Sequence, residues 1–184
     1  MKFTELEIPG VFLIEPRVFE DKRGAFYEFF SKKKFRDAGL DVEFVQDNHS
    51  LSSKGVLRGL HFQKEPMAQG KLIRVISGSV FDVAVDIRRG SPMYGKHIAL
   101  ELSAANKKSI YIPAGFAHGF CVLEDKTEFI YKCTRPYAPE MEGGISWDDP
   151  DLAIAWPKLP VDYILSEKDH HYPQLKDVEP VFSY

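Results

Sequence analysis

The most informative segment of this sequence is Gly55-Val56-Leu57-Arg58-Gly59-Leu60-His61-Phe62-Gln63. It is an apolar, β-prone run that carries a histidine and an arginine. In a strand, Leu60 and Phe62 point away from the face that carries His61. A second stretch, Pro113-Ala114-Gly115-Phe116-Ala117-His118-Gly119-Phe120, places another histidine after a Pro-x-Gly turn. The sequence therefore presents two histidines on β-prone segments.

Together the two stretches resemble the paired motifs of the cupin proteins, G-x5-H-x-H and P-x-G-x2-H. Gln63 stands where the first motif has its second histidine, and Gln69 and Lys71 lie where a carboxylate ligand is expected. A lysine repels a metal ion, and two histidines are too few ligands for a typical site. The sequence therefore predicts no metal and leaves His61 free for proton chemistry.

Alternation of apolar and polar residues dominates the chain, and this period places one face of a strand in the core. The clearest runs are 71–76, 80–87, 97–102 and 127–132. Many short strands separated by turns predict an all-β protein, here a cupin, or jelly-roll, β-barrel. We expect one domain over residues 1–184.

Short helices are predicted near both ends of the chain. Ser31 can cap and Gly39 can end a helix over 31–39. The segment Leu165–Asp169 has the pattern of a short capped helical turn.

Composition narrows the function classes. The chain has 184 residues, 44% hydrophobic and 28% charged, as in an ordinary globular protein. A net charge of -3 predicts no general attraction to nucleic acid or membranes. No apolar run approaches the ~20 residues of a membrane span, and the N-terminus lacks the apolar core of a signal peptide. Cys121 and Cys133 have no C-x-x-C spacing, so we expect free thiols and a cytoplasmic location.

Several side chains have both a structural and a chemical interpretation. His61 is either a core histidine or a general base, and Tyr131 is either a core tyrosine or a proton donor. Lys71 either extends to the surface or stabilises an enolate or a phosphate. Asp169 is either a helix cap or the group that orients a histidine. The pattern of residues alone leaves each pair open.

Three further residues are open in the same way. His118 is a ligand contact, a metal ligand or a turn-packing residue. Tyr137 follows a turn and is expected at a pocket mouth, where a ring can stack on a planar ligand. Arg23 lies in a charged, aromatic-rich stretch that is either a solvated turn or an arm reaching a phosphate.

Read together, these segments resemble the dTDP-4-dehydrorhamnose 3,5-epimerase family from about Ile8 to Asp169. The blocks that carry the resemblance are Phe19–Gly24, Phe44–Asn48, Lys54–Gln63, Gln69–Lys71, Val83–Arg88, Ile112–Phe120, Tyr131–Lys132 and Leu165–Asp169. Several blocks in the family's order are far more specific than any one of them.

The resemblance implies an isomerase of the epimerase class that works without a cofactor. It would convert dTDP-4-dehydro-6-deoxy-D-glucose into dTDP-4-dehydro-L-rhamnose by moving protons at C3 and C5. By this resemblance, His61 is the base and Asp169 orients it. Lys71 stabilises the enolate oxygen, and Tyr131 returns a proton from the opposite face.

The resemblance also implies the binding residues and the assembly. Arg23 and Arg58 would hold the diphosphate and Tyr137 would stack on thymine. The residues expected around the ligand are Arg23, Glu28, Gln46, Asp47, Asn48, Arg58, Lys71, His118, Tyr137, Glu142 and Lys168. The family forms homodimers with exchanged N-terminal strands and serves dTDP-rhamnose synthesis for lipopolysaccharide or cell-wall polysaccharide.

Three other functions stay open on the sequence. Relatives in the family epimerise only C3 or only C5, or use another nucleotide. A metal-dependent cupin and a non-catalytic nucleotide-sugar binding module are the remaining candidates.

Overall fold

The computed structural model describes residues 1–184 and is built almost entirely of short β-strands. The strands are β1 (Lys2–Glu5), β2 (Phe12–Glu15), β3 (Val18–Asp21), β4 (Gly24–Tyr27), β5 (Gln46–Ser52), β6 (Leu57–Gln63), β7 (Lys71–Ser77), β8 (Ser79–Asp86), β9 (Arg88–Arg89), β10 (His97–Ser103), β11 (Ser109–Ile112), β12 (Phe116–Val122), β13 (Thr127–Cys133), β14 (Glu142–Gly144) and β15 (Phe182–Ser183). The helices are α1 (Lys32–Asp37) and three 3-10 helices, Pro139–Met141, Glu167–His170 and Leu175–Asp177.

Two antiparallel sheets form the body of the jelly roll. The six-stranded sheet has the order β1-β2-β11-β7-β13-β5, and the five-stranded sheet has the order β10-β8-β12-β6-β14. Strands β3 and β4 form a separate hairpin, and β9 pairs with β15. The all-β prediction is confirmed, and the four predicted β runs are β7, β8, β10 and β13.

Apolar residues alternate with polar ones along these strands, so each sheet has an apolar face to bury. The largest cluster, which includes Ile73, Ala84 and Phe129, joins residues from both sheets. A second cluster contains Leu60 and Phe62 of β6, and the Phe62 ring lies 6.1 Å from the ring of Phe182 in the C-terminal segment. Because Leu60 belongs to this second cluster, His61 is directed to the other face of β6, towards the opposing sheet.

The predicted helices are present, and both are shorter or tighter than the sequence suggested. Ser31 caps α1 by accepting a hydrogen bond from the Lys34 N–H. Helix α1 ends at Asp37, and Gly39 follows it with a φ of +87°, a conformation that favours glycine. The predicted turn near Asp169 is the 3-10 helix Glu167–His170. No helix of the chain has the length and apolar character needed to cross a bilayer.

An irregularity in β6 changes which side chains share its inner face. In the pairing of β12 with β6, His118 lies opposite His61 but Phe120 lies opposite Arg58, so β6 carries one extra residue there. Gly59 has a φ of +138°, and a Cβ at this position would lie 2.5 Å from the Gly119 Cα. Only glycine therefore suits this bulge.

Candidate active site

A cleft of about 380 Å³ opens next to the inner face of β6. It is lined by Gln46, Asn48, Arg58, His61, Gln69, Tyr131, Tyr137, Glu142, Ser166, Lys168 and Asp169. A smaller cavity of about 110 Å³ lies beside it and shares Arg58, His61 and Tyr131 with it. His61 comes from the five-stranded sheet and Tyr131 from the six-stranded sheet, so the two rings meet in one space from opposite walls.

His61 forms a dyad with Asp169. The His61 Nε2 lies 2.5 Å from the Asp169 Oδ1, and the Ser166 hydroxyl donates to the other carboxylate oxygen at 2.7 Å. The Asp169 side chain is only 1% exposed. Burial alone would raise the pKa of Asp169, but the hydrogen bonds from His61 and Ser166 outweigh burial and lower it.

The ionised carboxylate fixes the tautomer of His61. With the Nε2–H donated to Asp169, the Nδ1 of the neutral ring carries a lone pair that can accept a proton. Asp169 also stabilises the imidazolium that forms when Nδ1 is protonated. A histidine held in this way has the properties of a general base.

Tyr131 places a phenol on the opposite wall. Burial raises the pKa of its hydroxyl, and the nearby Cys133 and Glu142 add to this effect. The phenol therefore stays protonated at neutral pH and can donate its proton to a carbanion. Its ring lies 5.8 Å from the ring of Phe129, a fully buried residue of the core.

Lys71 places an amino group in the smaller cavity, together with His61 and Tyr131. Its Nζ lies 5.9 Å from the centre of the Tyr131 ring. Burial lowers the pKa of Lys71, while Cys133, Asp82 and Glu142 oppose this effect. Negative charge that develops on a bound molecule here would favour the ammonium form, so Lys71 is suited to stabilise an oxyanion.

His118 lies in the same small cavity and is 6% exposed. Its Nε2 lies 3.0 Å from the Oδ2 of Asp82, so the ring is oriented by a second carboxylate. Burial lowers the pKa of His118, against the opposing influence of Asp82. The ring is therefore neutral at pH 7, and its Nδ1 is the nitrogen not engaged by Asp82.

Polar groups at the cleft mouth hold one another in place. Glu142 accepts hydrogen bonds from Lys168 Nζ at 2.5 Å and from the Tyr137 hydroxyl at 2.8 Å. Gln46 accepts from the Tyr137 N–H at 2.8 Å and donates to the Asn48 side chain at 3.0 Å. The Tyr137 side chain is 53% exposed, so its ring has room for a planar ligand.

Gln63 has a structural role. Its Nε2 donates to the carbonyls of Met67 and Pro136, and its Oε1 accepts from the Ala138 N–H. The amide is thus fully engaged by backbone groups. The chain contains no cluster of three or more His, Cys, Asp and Glu side chains with the geometry of a metal site.

Three residues expected around the ligand lie elsewhere in the chain. Strand alternation directs Asp47 to the outer face of its sheet, where it pairs with Lys132 at 3.0 Å. Arg23 pairs with Asp21 on the exposed β3–β4 hairpin. Glu28 pairs with Lys34 of α1. The side chains of Asp47, Arg23 and Glu28 therefore do not line the cleft of their own chain.

Four residues of the site carry no role in the sequence-based prediction. Ser166 binds Asp169, Asp82 binds His118, and Gln69 lines the cleft. Tyr172 lies with its ring against His61 at a centroid distance of 5.6 Å. Ser166 lies three residues before Asp169, a spacing that suggests a contact, and Gln69 stands where the cupin motif has a ligand. No local pattern indicates Asp82 or Tyr172.

A family model described as dTDP-4-dehydrorhamnose 3,5-epimerase matches residues 5–177. The chain belongs to the dTDP-4-dehydrorhamnose 3,5-epimerase family. A relative of that name from Shigella flexneri is 55% identical over 170 residues, which cover 92% of this chain and 93% of the relative. The family resemblance seen in the sequence is therefore confirmed.

Solved structures of the 3,5-epimerase family agree with this fold. The epimerase from Legionella pneumophila, in complex with dTDP-4-keto-L-rhamnose, has a TM-score of 0.95 and 46% identity, covering 100% of this chain and 98% of its own. A more distant member is a 3'-monoepimerase from Streptomyces bikiniensis in complex with dTDP-quinovose. It has a TM-score of 0.89 and 36% identity, covering 94% of this chain and 87% of its own.

Proposed function

We propose that this chain epimerises C3 and C5 of dTDP-4-dehydro-6-deoxy-D-glucose to give dTDP-4-dehydro-L-rhamnose. The observation that carries the proposal is the His61–Asp169 dyad on one wall of a cavity and the Tyr131 phenol on the other. Inversion at carbon needs a base on one face of the ring and an acid on the other. The two sheets supply them.

His61, Lys71 and Tyr131 together account for the proton and the electron pair that move in each inversion. The His61 Nδ1 removes the proton next to the C4 carbonyl, and the electron pair of the broken C–H bond moves onto the carbonyl oxygen as an enolate. Lys71 stabilises that oxygen. The enolate carbon then takes the proton of the Tyr131 hydroxyl from the opposite face, so its configuration inverts.

The enzyme returns to its starting state by exchanging protons with water. His61 gives up its extra proton and the Tyr131 phenolate regains one, after which the same groups act on the second carbon. Positioned acid–base groups each contribute roughly 10²–10⁴-fold to the rate. His61 and Tyr131 are therefore the residues on which turnover depends most.

The polar mouth of the cleft binds the nucleotide. Arg58 and Lys168 are cations suited to the diphosphate, and Tyr137 stacks on the thymine. Gln46, Asn48 and Glu142 provide hydrogen-bonding groups beside them. His118 contacts the sugar from the small cavity that also holds Lys71.

The active unit is a homodimer in which the N-terminal strands of one chain reach the cleft of the other. Two features support this arrangement. Phe26 and Phe19 of the β3–β4 hairpin are 75% and 52% exposed, an apolar surface that a neighbour would cover. β5 is an edge strand of its sheet and could pair with another chain. Arg23 then reaches a diphosphate in the partner's cleft.

Paired variants test this arrangement. Arg23→Ala and His61→Asn chains are coexpressed with different tags and the mixed dimer is purified. If Arg23 acts across the dimer, one of the two sites is intact and about half of the wild-type activity returns. If Arg23 acts within its own chain, both sites of the mixed dimer are impaired and activity does not return. If Arg23 has no role, the Arg23→Ala homodimer is itself fully active, so that homodimer is measured alongside.

Deuterium incorporation tests the reaction itself. Incubation of the protein with the keto sugar in deuterated water should place deuterium at both C3 and C5, with inversion at each carbon. Deuterium at only one carbon would assign the chain to the monoepimerases, which the similarity to the Streptomyces bikiniensis enzyme makes the second candidate. Tight dTDP binding without exchange would indicate a binding module, and activity lost to a chelator would indicate a metal-dependent cupin.

The reaction takes place in the cytoplasm and its product supplies rhamnose for a surface polysaccharide. Both cysteines, Cys121 and Cys133, are free and buried, which suits a reducing compartment. Cell fractionation with an antibody to the chain would test the location.

A further inference from the structure

Tyr172 lies directly against the base. Its ring meets the His61 ring edge to face, with centroids 5.6 Å apart and an interplanar angle of 65°. The same ring lines a second surface pocket of about 330 Å³. Tyr172 therefore packs against one flank of His61.

The segment that carries Tyr172 is anchored on both sides. Before it, Asp169 is bound to His61. After it, the Pro173 carbonyl accepts a hydrogen bond from the Ser146 N–H at 2.8 Å. The Leu175 N–H donates to the buried carboxylate of Asp149 at 2.7 Å. These hydrogen bonds on both sides hold the Tyr172 ring in a fixed position beside His61.

The neighbouring strand leaves space for this ring. Gly144 of β14 lies opposite His61 in the sheet. A Cβ at Gly144 would lie 2.5 Å from two atoms of the Tyr172 ring, closer than real contacts allow. The glycine therefore permits the tyrosine to pack beside the base, where any larger residue at position 144 would displace it.

We propose that Tyr172 is a positioning residue for His61, an inference that rests on the proposed function. Asp169 holds one nitrogen of the imidazole, but a single hydrogen bond lets the ring tilt about the bonded atom. The Tyr172 ring packs against the flank of the imidazole and removes this freedom. The Nδ1 lone pair is thereby aimed at the sugar carbon and water is kept off that side.

A positioning role needs only the aromatic ring of Tyr172, whereas a chemical role would need its hydroxyl. Two substitutions distinguish these roles. Tyr172→Phe keeps the edge-to-face contact and should retain kcat within about twofold. Tyr172→Ala removes it and should lower kcat roughly 10- to 100-fold with little change in KM, because a small misplacement of a catalytic group can cost about 10²-fold. Tyr94→Ala removes a 40% exposed tyrosine that lines neither cavity and is the matched control.

A second measurement follows the imidazole itself. The Nε2–H proton of His61 should give a sharp, downfield NMR signal in the wild type and in Tyr172→Phe, identified by its loss in His61→Asn. In Tyr172→Ala the signal should broaden by exchange with water. If Tyr172→Ala fails to fold, Gly144→Ala makes the same test, since its methyl group would overlap the Tyr172 ring, which must then leave its place beside His61.

The outcomes separate the inference from the function on which it rests. An unchanged kcat and a sharp signal in a folded Tyr172→Ala protein would overturn the positioning role. Equal losses in Tyr172→Phe and Tyr172→Ala would also overturn it, in favour of the hydroxyl. Absence of deuterium exchange in the wild type would refute the epimerase proposal instead, and the NMR signal would still decide whether Tyr172 holds the imidazole.

Discussion

Replacing Asp169 by asparagine tests the dyad with the least change of shape. The substitution keeps the size of the side chain and removes its negative charge. In the wild type the carboxylate accepts from His61 at 2.5 Å and from Ser166 at 2.7 Å. An asparagine oxygen can still accept from one of these groups, but its NH₂ group must then face the other.

The expected loss can be worked out from these two contacts. A hydrogen bond to a charged group contributes about 1.5–3 kcal/mol. If the asparagine oxygen faces His61, the imidazolium no longer has a charged partner, and the rate falls roughly 10- to 150-fold. If the NH₂ group faces His61, the ring adopts the other tautomer and Nδ1 carries a proton. The lone pair that acts as base is then lost, and the loss approaches the roughly 10⁴-fold limit of general base catalysis.

We therefore expect Asp169→Asn to lower kcat by about 10- to 10⁴-fold, depending on which way the amide faces, and to leave KM nearly unchanged. The assay is ¹H NMR of the keto sugar in deuterated water, which follows exchange at C3 and C5. Asp37→Asn, which removes an exposed helix carboxylate paired with Lys33, is the matched control. A kcat within threefold of the wild type in a folded Asp169→Asn protein would refute the role of the dyad.

Three further predictions concern other groups. Tyr131→Phe should slow inversion by roughly 10²–10⁴-fold while deuterium still enters with retention, since His61 can return a deuteron to the face it attacked; loss of exchange as well would argue against this division of roles. Lys71→Met should lower kcat about 10²- to 10³-fold without lowering the free energy of unfolding, because a partly buried ammonium outside any salt bridge costs free energy; urea unfolding checks this. Arg88 and Ser91 hold the pKa of the buried Asp86 below its ordinary value of 3.8 despite burial, which alone would raise it. Its contribution to stability is therefore full above that value and lost as pH falls through the folded-state pKa, so the stability difference between wild type and Asp86→Asn should narrow at low pH.

The sequence predicted the strands and their faces well, because alternation is a local property. The runs that became β7, β8, β10 and β13 carry an apolar residue at every second position. The same reasoning directed His61 away from Leu60 and Phe62, and those two residues do pack in a separate apolar cluster.

Strict alternation fails at Arg58, for a reason visible only in the paired strands. Arg58 is three residues before His61, so a regular strand would place the two side chains on opposite faces. The extra residue at Gly59 brings them to the same cleft. A glycine within an apolar run is compatible with a bulge, but the sequence does not show where the partner strand shifts its register.

The family resemblance predicted Asp47 as a ligand contact, although strand alternation places its side chain on the outer face of the sheet. Gln46 and Asn48 face the cleft, whereas Asp47 between them pairs with Lys132 on the outer face. A block of matching sequence does not distinguish side chains that point in from those that point out. For Asp47, the alternation of the strand predicts the position of the side chain in this chain correctly.

Neither strand alternation nor the family resemblance predicts contacts between distant segments of the chain. Ser166 could be linked to Asp169 by spacing, but Tyr172 meets His61 only because β14 pairs with β6 and places Gly144 beside the base. The surroundings of His61 therefore come from three separate parts of the chain: the strand that carries it, the 3-10 helix that supplies Asp169, and the strand with Gly144, which leaves room for the Tyr172 ring. We therefore expect a substitution in any of these three parts to lower kcat without contacting the sugar. At Gly144 or Tyr172, the cause of such a loss would be a changed orientation of the His61 ring.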